Sequence, residues 1–166
     1  IRQFNDSSTC WNKILNSLNN IDKNKITKFI KDDDRKRAIA SIILQNYIIK
    51  TTFNIPFGSI NIKRTKYGKP FINVTDLNFN VSHDKDITVI ISNDKPVGID
   101  IMYLNKNINW NTIKHVFTEN ELSYISKFNQ SYYTIFWCLK ESFLKAVGTG
   151  LNIQMSRIEF SISCNI

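Results

Sequence analysis

The sequence of 166 residues has no apolar run of about eighteen residues, the length a membrane-spanning helix needs, so no membrane association is expected. Cysteine is scarce and unpatterned: Cys10, Cys138 and Cys164 are far apart, odd in number and form no CxxC pair. That argues against a disulfide framework or a thiolate zinc site and suits a reducing compartment, the cytoplasm (cytosol). The only histidines are His83 and His115, too few for a multi-histidine metal centre. An arginine-rich tract, an RNP signature and zinc-finger spacing are all lacking, which weakens a nucleic-acid-binding reading. The chain begins at Ile1 without a charged-then-apolar leader or an initiator Met. The expectation is therefore no secretory signal and a start inside a longer chain.

What remains is ordinary globular material, 42% hydrophobic, long enough for one core that two small subdomains could share. The formal net charge of +8 asks for an anionic partner. Nucleic acid, a phosphate-rich small molecule and an acidic protein all satisfy it, and a Lys-, Asn- and Ile-rich composition explains part of it. Charge alone does not choose.

Apolar spacing predicts a short amphipathic helix over Trp11–Leu18 and a second over Asp22–Phe29. Asp32, Asp33 and Asp34 then open a long buried helix over Asp33–Thr51, where acids meet the positive end of the helix dipole. Those aspartates lack the glycine and terminal bidentate acid of an EF-hand, so capping explains them better than calcium. Asn54-Ile55-Pro56 ends the helix. Ile60 and Ile62 alternate as a strand leading into the basic turn Arg64-Thr65-Lys66-Tyr67-Gly68-Lys69-Pro70, which is either a phosphate cradle or a solvated loop. Phe79–His83 and Ile87–Ile91 read as a β-hairpin turning at Asp84-Lys85-Asp86, and Val97–Ile101 as a further strand. A helix follows from Asn111 to Phe117. Thr118 and Glu121 have capping-box spacing ahead of a helix over Leu122–Phe128, and Ile158–Ile162 alternates as a last strand. Segregated helices and antiparallel pairs give the α+β class.

Two places carry chemistry. Trp137–Leu151 is a helix with Phe136, Leu139, Phe143 and Val147 on one apolar stripe and the pair Glu141/Lys145 on a neighbouring one, stopped by Gly148 and Gly150. Asp100 is a single carboxylate flanked by Gly98, Ile99, Ile101 and Met102. An unpaired buried carboxylate is costly, so either a cation neutralises it or it lies on a solvated face. His83 is ambiguous in the same way.

Gly68-Lys69-Pro70, Phe79-Asn80-Val81-Ser82-His83, Gly98-Ile99-Asp100-Ile101, Phe117 with Glu121, and Trp137 followed by Lys140-Glu141-Ser142-Phe143, Lys145-Ala146, Gly148 and Gly150-Leu151 resemble, in order and spacing, the 4′-phosphopantetheinyl transferases of the surfactin-synthetase-activating type. Asn54-Ile55-Pro56, Arg64-Thr65 and Met102 look like the eukaryotic aminoadipate-semialdehyde dehydrogenase branch. The resemblance implies a pseudo-dimer of two similar α+β halves, residues 1–96 and 97–166, with the ligand in the cleft between them and the second half ending early.

The same resemblance implies transfer of phosphopantetheine from coenzyme A to a serine of an acidic acyl or peptidyl carrier protein, with release of 3′,5′-ADP by a monomeric enzyme. Lysine biosynthesis and fatty acid synthesis are the settings it suggests. Asp100 and Glu141 would hold Mg²⁺, with Mn²⁺ as a substitute, because oxygen donors suit such ions. Glu141 would be the base for the serine and Lys145 would offset phosphate charge. Lys25, Arg64, Thr65, Lys66, Tyr67, Gly68 and Lys69 would hold the nucleotide, with Arg37 as an extra phosphate contact. Asn80, Val81, Ser82 and His83, and Ser142, Phe143 and Leu144 beside Glu141, would contact the same coenzyme. Many bacterial members place a second acid where this chain has Met102, a poor ligand for magnesium, so two carboxylates are expected to serve. Asp84 reads as a hairpin-turn residue, with reach toward the metal as the alternative.

Overall fold

A computed structural model describes residues 8–56, 59, 61–73, 76–104, 109–129 and 131–163. The chain divides into two compact units, Ile1–Asn61 and Ile62–Ile166, so the expected division near Pro96 runs inside the second unit.

The first unit is helical: α1 (Ser8–Ser17), α2 (Asn20–Ile26) and α3 (Asp32–Phe53). Asn19 caps α2 by accepting the Asp22 amide at 2.8 Å. The three aspartates occupy the first turn of α3, where Arg35 pairs with Asp32 at 3.0 Å and Arg37 with Asp34 at 2.6 Å. Lys31 is the N-cap and no side chain makes a capping hydrogen bond there, so the acids serve this end of α3 as charges in its first turn. Leu18, Ile26 and Ile39 form the core of this unit, with Ile14, Leu15, Ile42 and Ile43 packed against it. The long helix is buried along one side only, because Tyr47 is 60% exposed. It stops at Asn54, which adopts a left-handed φ of 53° and donates its amide to the Lys50 carbonyl.

The second unit begins with a two-residue antiparallel pair, β1 (Lys63–Arg64) and β2 (Pro70–Phe71), which closes the basic turn. Ile60, expected to share that strand, lies outside the described residues. The hairpin is β3 (Asn78–Asp84) with β4 (Ile87–Asn93), in register from Asn78↔Asn93 to Asp84↔Ile87. Lys85 takes φ 47° in its two-residue turn, the positive φ that such tight connections demand. After α4 (Trp110–Ile113) comes α5 (Glu119–Phe128), whose capping box is complete: Thr118 Oγ1 accepts the Glu121 amide and Glu121 Oε2 accepts the Thr118 amide. The final helix, α6, spans Tyr132–Val147 and ends on Gly148 at φ 77°. Ile113, Phe117, Ile125 and Phe136 form the core beneath α5 and α6.

Two expected strands do not form, and the burial of α6 differs from its apolar spacing. Val97–Ile101 forms no regular element and joins no strand among the described residues; side chains of β3 hold it instead. Asn80 Oδ1 accepts the Ile99 amide at 3.2 Å, and Asp84 Oδ2 accepts the Tyr103 amide at 2.8 Å. Ile158–Ile162 likewise joins no strand among the described residues; the Phe160 amide donates to Glu121 Oε1 at 3.0 Å. Of the apolar stripe of α6, Phe136 alone faces the core. Leu139, Phe143 and Val147 are 36%, 42% and 48% exposed, while Phe136, Lys140 and Leu144 form the inward line. A lysine takes the place that apolar counting assigns to a hydrophobe. Its ammonium meets Glu121 at 2.6 Å and donates to the carbonyls of Val116, Met155 and Ile158 at 2.9, 3.0 and 2.7 Å.

Gly98 brings the segment Val97–Ile101 against α6. A Cβ there would overlap the Ser142 carbonyl oxygen and stand 2.5 Å from the Ala146 amide nitrogen. Backbone atoms of a packed helix cannot yield as a flexible side chain can. Gly98→Ala is therefore expected to destabilise the fold by about 1–3 kcal/mol. Chemical denaturation measures it, and a midpoint equal to that of the unaltered protein would refute the close approach.

Candidate active site

Three elements of the second unit line one cleft of about 240 Å³: the basic turn, β3 and α6. The turn supplies Arg64, Tyr67, Gly68, Lys69 and Pro70, the strand Asn80 and Val81, and the helix Glu141, Leu144 and Lys145, with Gly148 and Gly150 just past the helix end.

The turn is internally braced. Thr65 accepts the Gly68 amide on its carbonyl, and its hydroxyl accepts the amides of Tyr67 and Lys69. Arg64 Nη1 donates to the Gly68 carbonyl at 2.8 Å, and Gly68 sits at φ 86°, where a side chain would be strained. Lys66 lies over the Tyr67 ring at 4.7 Å. Lys69 reaches across to α6 and donates to the Ala146 carbonyl at 2.5 Å, capping the negative end of that helix. Burial holds its ammonium below the usual lysine range.

Asp100 sits beside the helix. Its Oδ1 accepts from Ser82 Oγ at 2.9 Å and from Lys145 Nζ at 2.5 Å, and Lys145 also donates to Ser82 Oγ at 3.1 Å. The Asp100 side chain is only 10% exposed, which settles its ambiguity: a cation, Lys145, neutralises it. Glu141, one turn before Lys145, is half-buried. Burial first, then the charge of Asp100, pushes its carboxyl above the ordinary range, with Lys145 opposing. Glu141 and Asp100 thus feel each other directly.

The structure therefore gathers Arg64, Tyr67, Gly68, Lys69, Asn80, Val81, Glu141, Leu144 and Lys145 at the cleft, with Ser82 and Asp100 bonded to Lys145. Thr65 acts on the turn's backbone, and Ser142 presents its carbonyl to Gly98. Other expected residues of this unit do not line the cleft. His83 is exposed and does not line the cleft, because it alternates with the buried Ser82 along β3. Phe143 turns out toward the Phe160 ring, 6.4 Å away between centroids. Two more belong to the first unit: Lys25 lies 3.6 Å from Asp22, and Arg37 is paired with Asp34. Asp84 holds the Tyr103 amide.

Cys138 is the residue that sequence reading passed over. It is hydrogen-bonded to Asp100, and burial, followed by the Asp100 charge, pushes its thiol up to about 12. Its position three residues before Glu141 was the available signal, since i and i+3 share a helix face.

Asp100 and Glu141 offer oxygen donors to a hard cation, although no cluster of three such ligands occurs among the described residues. Arg64, Lys69 and Lys145 offer positive charge beside them. A cleft with Arg64 and Lys69 on its turn, and Lys145 with two acids at its helix, can hold a phosphate-bearing ligand and place a base next to it.

Known proteins match along the whole region. The family model described as 4′-phosphopantetheinyl transferase, N-terminal, matches residues 2–95, and that of the 4′-phosphopantetheinyl transferase superfamily matches residues 96–165. An L-aminoadipate-semialdehyde dehydrogenase-phosphopantetheinyl transferase of Mus musculus is 33% identical over 171 residues, covering 92% of this chain and 55% of its own length. Its counterpart in Xenopus laevis is 34% identical over 160 residues, covering 86% and 53%. The 4′-phosphopantetheinyl transferase Sfp of Bacillus subtilis is 29% identical over 138 residues, covering 80% and 61%. The chain thus spans a little over half the length of these relatives. Matched by both family models from residue 2 to residue 165, it belongs to the 4′-phosphopantetheinyl transferase family.

Proposed function

We propose that the cleft transfers the 4′-phosphopantetheine group of coenzyme A to a serine of an acyl or peptidyl carrier protein, leaving 3′,5′-ADP. The observation that carries this reading is the contact of Lys145 with Asp100 at 2.5 Å beside a half-buried Glu141, opposite the basic turn. The finer architecture is the pseudo-dimer of halves 1–96 and 97–166. Supporting it, residues from both sides of Pro96 line the cleft. A cytosolic monomer acting on an acidic carrier is the proposed setting, with lysine or fatty-acid metabolism as its context.

Each residue of the cleft then has a task. Arg64 and Lys69, held by carbonyls of Gly68 and Ala146, bring positive charge to the phosphates of the nucleotide end. Glu141 accepts the proton of the incoming serine hydroxyl. A carboxyl pushed up by burial and by Asp100 is a stronger base than a free glutamate, which suits that task. Lys145, fixed between Asp100 and Ser82, directs its ammonium at charge developing on the leaving phosphate. The Asp100 carboxylate opposes ionisation of Glu141, a repulsion that a divalent cation would relieve, so the donor set fits Mg²⁺ or Mn²⁺. Such an ion, when bound, supplies charge neutralisation on the diphosphate.

Incubation with coenzyme A, Mg²⁺ and an apo acyl carrier protein, read by intact mass, tests the reaction. One phosphopantetheine added per carrier is expected. An unmodified carrier that a reference transferase does load would overturn the reading. Glu141→Gln is expected to lower turnover by about 10²–10⁴-fold and leave coenzyme binding within a few-fold, as calorimetry would show.

The same substitution has a stability signature. Because folding raises the Glu141 pKa, its stabilising contribution is present below its unfolded pKa and is lost as pH rises through the folded value. Glu141→Gln should therefore raise Tm in chelator at neutral pH, and the gain should vanish in acid, where the native carboxyl is neutral. A gain unchanged with pH would contradict the assigned cause.

A further inference from the structure

Lys140 and Glu121 belong to the motifs that mark the family resemblance, yet the reaction proposed above uses neither. Both side chains are wholly buried, 0% exposed, with 2.6 Å between Nζ and Oε2. The ammonium has three further acceptors, the carbonyls of Val116, Met155 and Ile158, and lies 5.8 Å from the centre of the Phe117 ring. The carboxylate also receives the amides of Thr118 and Phe160. One ion pair therefore ties the start of α5, the 3₁₀ turn at Met155–Arg157 and the chain just beyond it to a single point on α6.

That point determines where the cleft side chains look. Successive residues of an α-helix turn by about 100° about its axis, so Glu141 is one such step from the anchored Lys140. Lys145 and Cys138 lie on the cleft side of the same helix, both near Asp100. A hydrophobe at position 140 could slide over the core of Ile113, Phe117, Ile125 and Phe136 with little angular preference. An ammonium with four acceptors at fixed positions cannot, because any rotation strands buried polar groups. Leu139, Phe143 and Val147 remain exposed while Lys140 is buried between Phe136 and Leu144, so the buried face of α6 is not set by apolar burial alone.

We propose that the Glu121–Lys140 pair is a positioning device, setting the rotation of α6 so that Glu141 and Lys145 face the cleft beside Asp100. The assignment rests on the transferase reading for what the cleft does, and on geometry alone for how the helix is held. Both residues act through their neighbours and touch no ligand.

The test compares Lys140→Met with Ile125→Ala, a core substitution under the same helices that leaves the pair intact. Both should remain helical by circular dichroism below their Tm. In Lys140→Met, turnover is expected to fall at least about tenfold with the KM for coenzyme A within about twofold, the pattern of a lost alignment rather than lost binding. Cys138, mapped by mass spectrometry after iodoacetamide, should alkylate at least about tenfold faster, since its half-buried place against Asp100 depends on that rotation. Ile125→Ala, with a comparable Tm loss, should change neither. Equal behaviour of the two variants in both measurements would overturn the proposal. Should Lys140→Met not fold, Glu121→Gln, which keeps shape and removes charge, takes its place with the same expectations and the same refuting result. If the native chain transfers nothing, the transferase reading fails, and Cys138 alkylation still decides whether the pair holds the helix.

Discussion

An ammonium and a carboxylate buried together without solvent are the constraint on which the second unit depends. Each ion would cost several kcal/mol to bury alone, and their attraction repays this only if the remaining lone pairs and protons find partners. Here they do: Lys140 meets three carbonyls besides Glu121, and Glu121 meets two backbone amides besides Lys140. The chain around them is irregular, with a 3₁₀ turn at Lys114–Val116, another at Met155–Arg157 and a stretch without regular structure beyond. Irregular chain exposes carbonyls that no helix or sheet satisfies. The buried lysine is what satisfies them. Charge and backbone irregularity thus require one another, and substituting either alone leaves the other unsupported.

The acidic side of the cleft is built by a related exchange. Asn80, Ser82 and Asp84 point the same way from β3, as alternate residues of a strand must. Their side chains engage the Ile99 amide, the Asp100 carboxylate and the Tyr103 amide in turn. A strand ladder would have bonded that segment through its backbone and left side chains perpendicular to the sheet. Side-chain bonding frees the segment to lie against α6, with Gly98 as the point of closest approach, and Asp100 arrives within reach of Lys145.

Legibility in the sequence follows locality. The capping box at Thr118 and Glu121, the hairpin about Lys85, the helix stop at Gly148 and the basic turn at Gly68 each depend on a few adjacent residues, and all are where spacing placed them. The rotation of α6 was not legible, because hydrophobicity counts Lys140 as a surface residue and its partners come from residues 116, 121, 155 and 158. The strands expected at Val97–Ile101 and Ile158–Ile162 have the right alternation. Alternation, however, describes two faces and says nothing of whether a neighbouring strand is present to pair with. In the site, Asp100, Glu141 and Lys145 were visible as unusual residues, and their contact was not. His83 came with the resemblance, and strand alternation turns it outward.

The charges of the cleft are not equivalent, and the difference gives it a direction. Arg64 and Lys69 are held by neutral carbonyls of Gly68 and Ala146, so their positive charge is oriented but uncompensated. Lys145 is held by a carboxylate, so its charge is largely balanced where it stands. An anion entering therefore meets net attraction at the turn and near-neutrality at the helix, where Glu141 lies within the influence of Asp100. On the transferase reading, this gradient orders the coenzyme with its most charged, nucleotide end on the turn and its reacting phosphate near Lys145 and Glu141. Because carbonyls of the fold already fix the cations at the turn, little reorganisation is needed when the ligand arrives, and that economy is the main electrostatic advantage of a preorganised site. The same argument explains why a buried ion pair behind α6 is worth its desolvation: a few degrees of helix rotation would misalign the balanced pair long before it disturbed the turn.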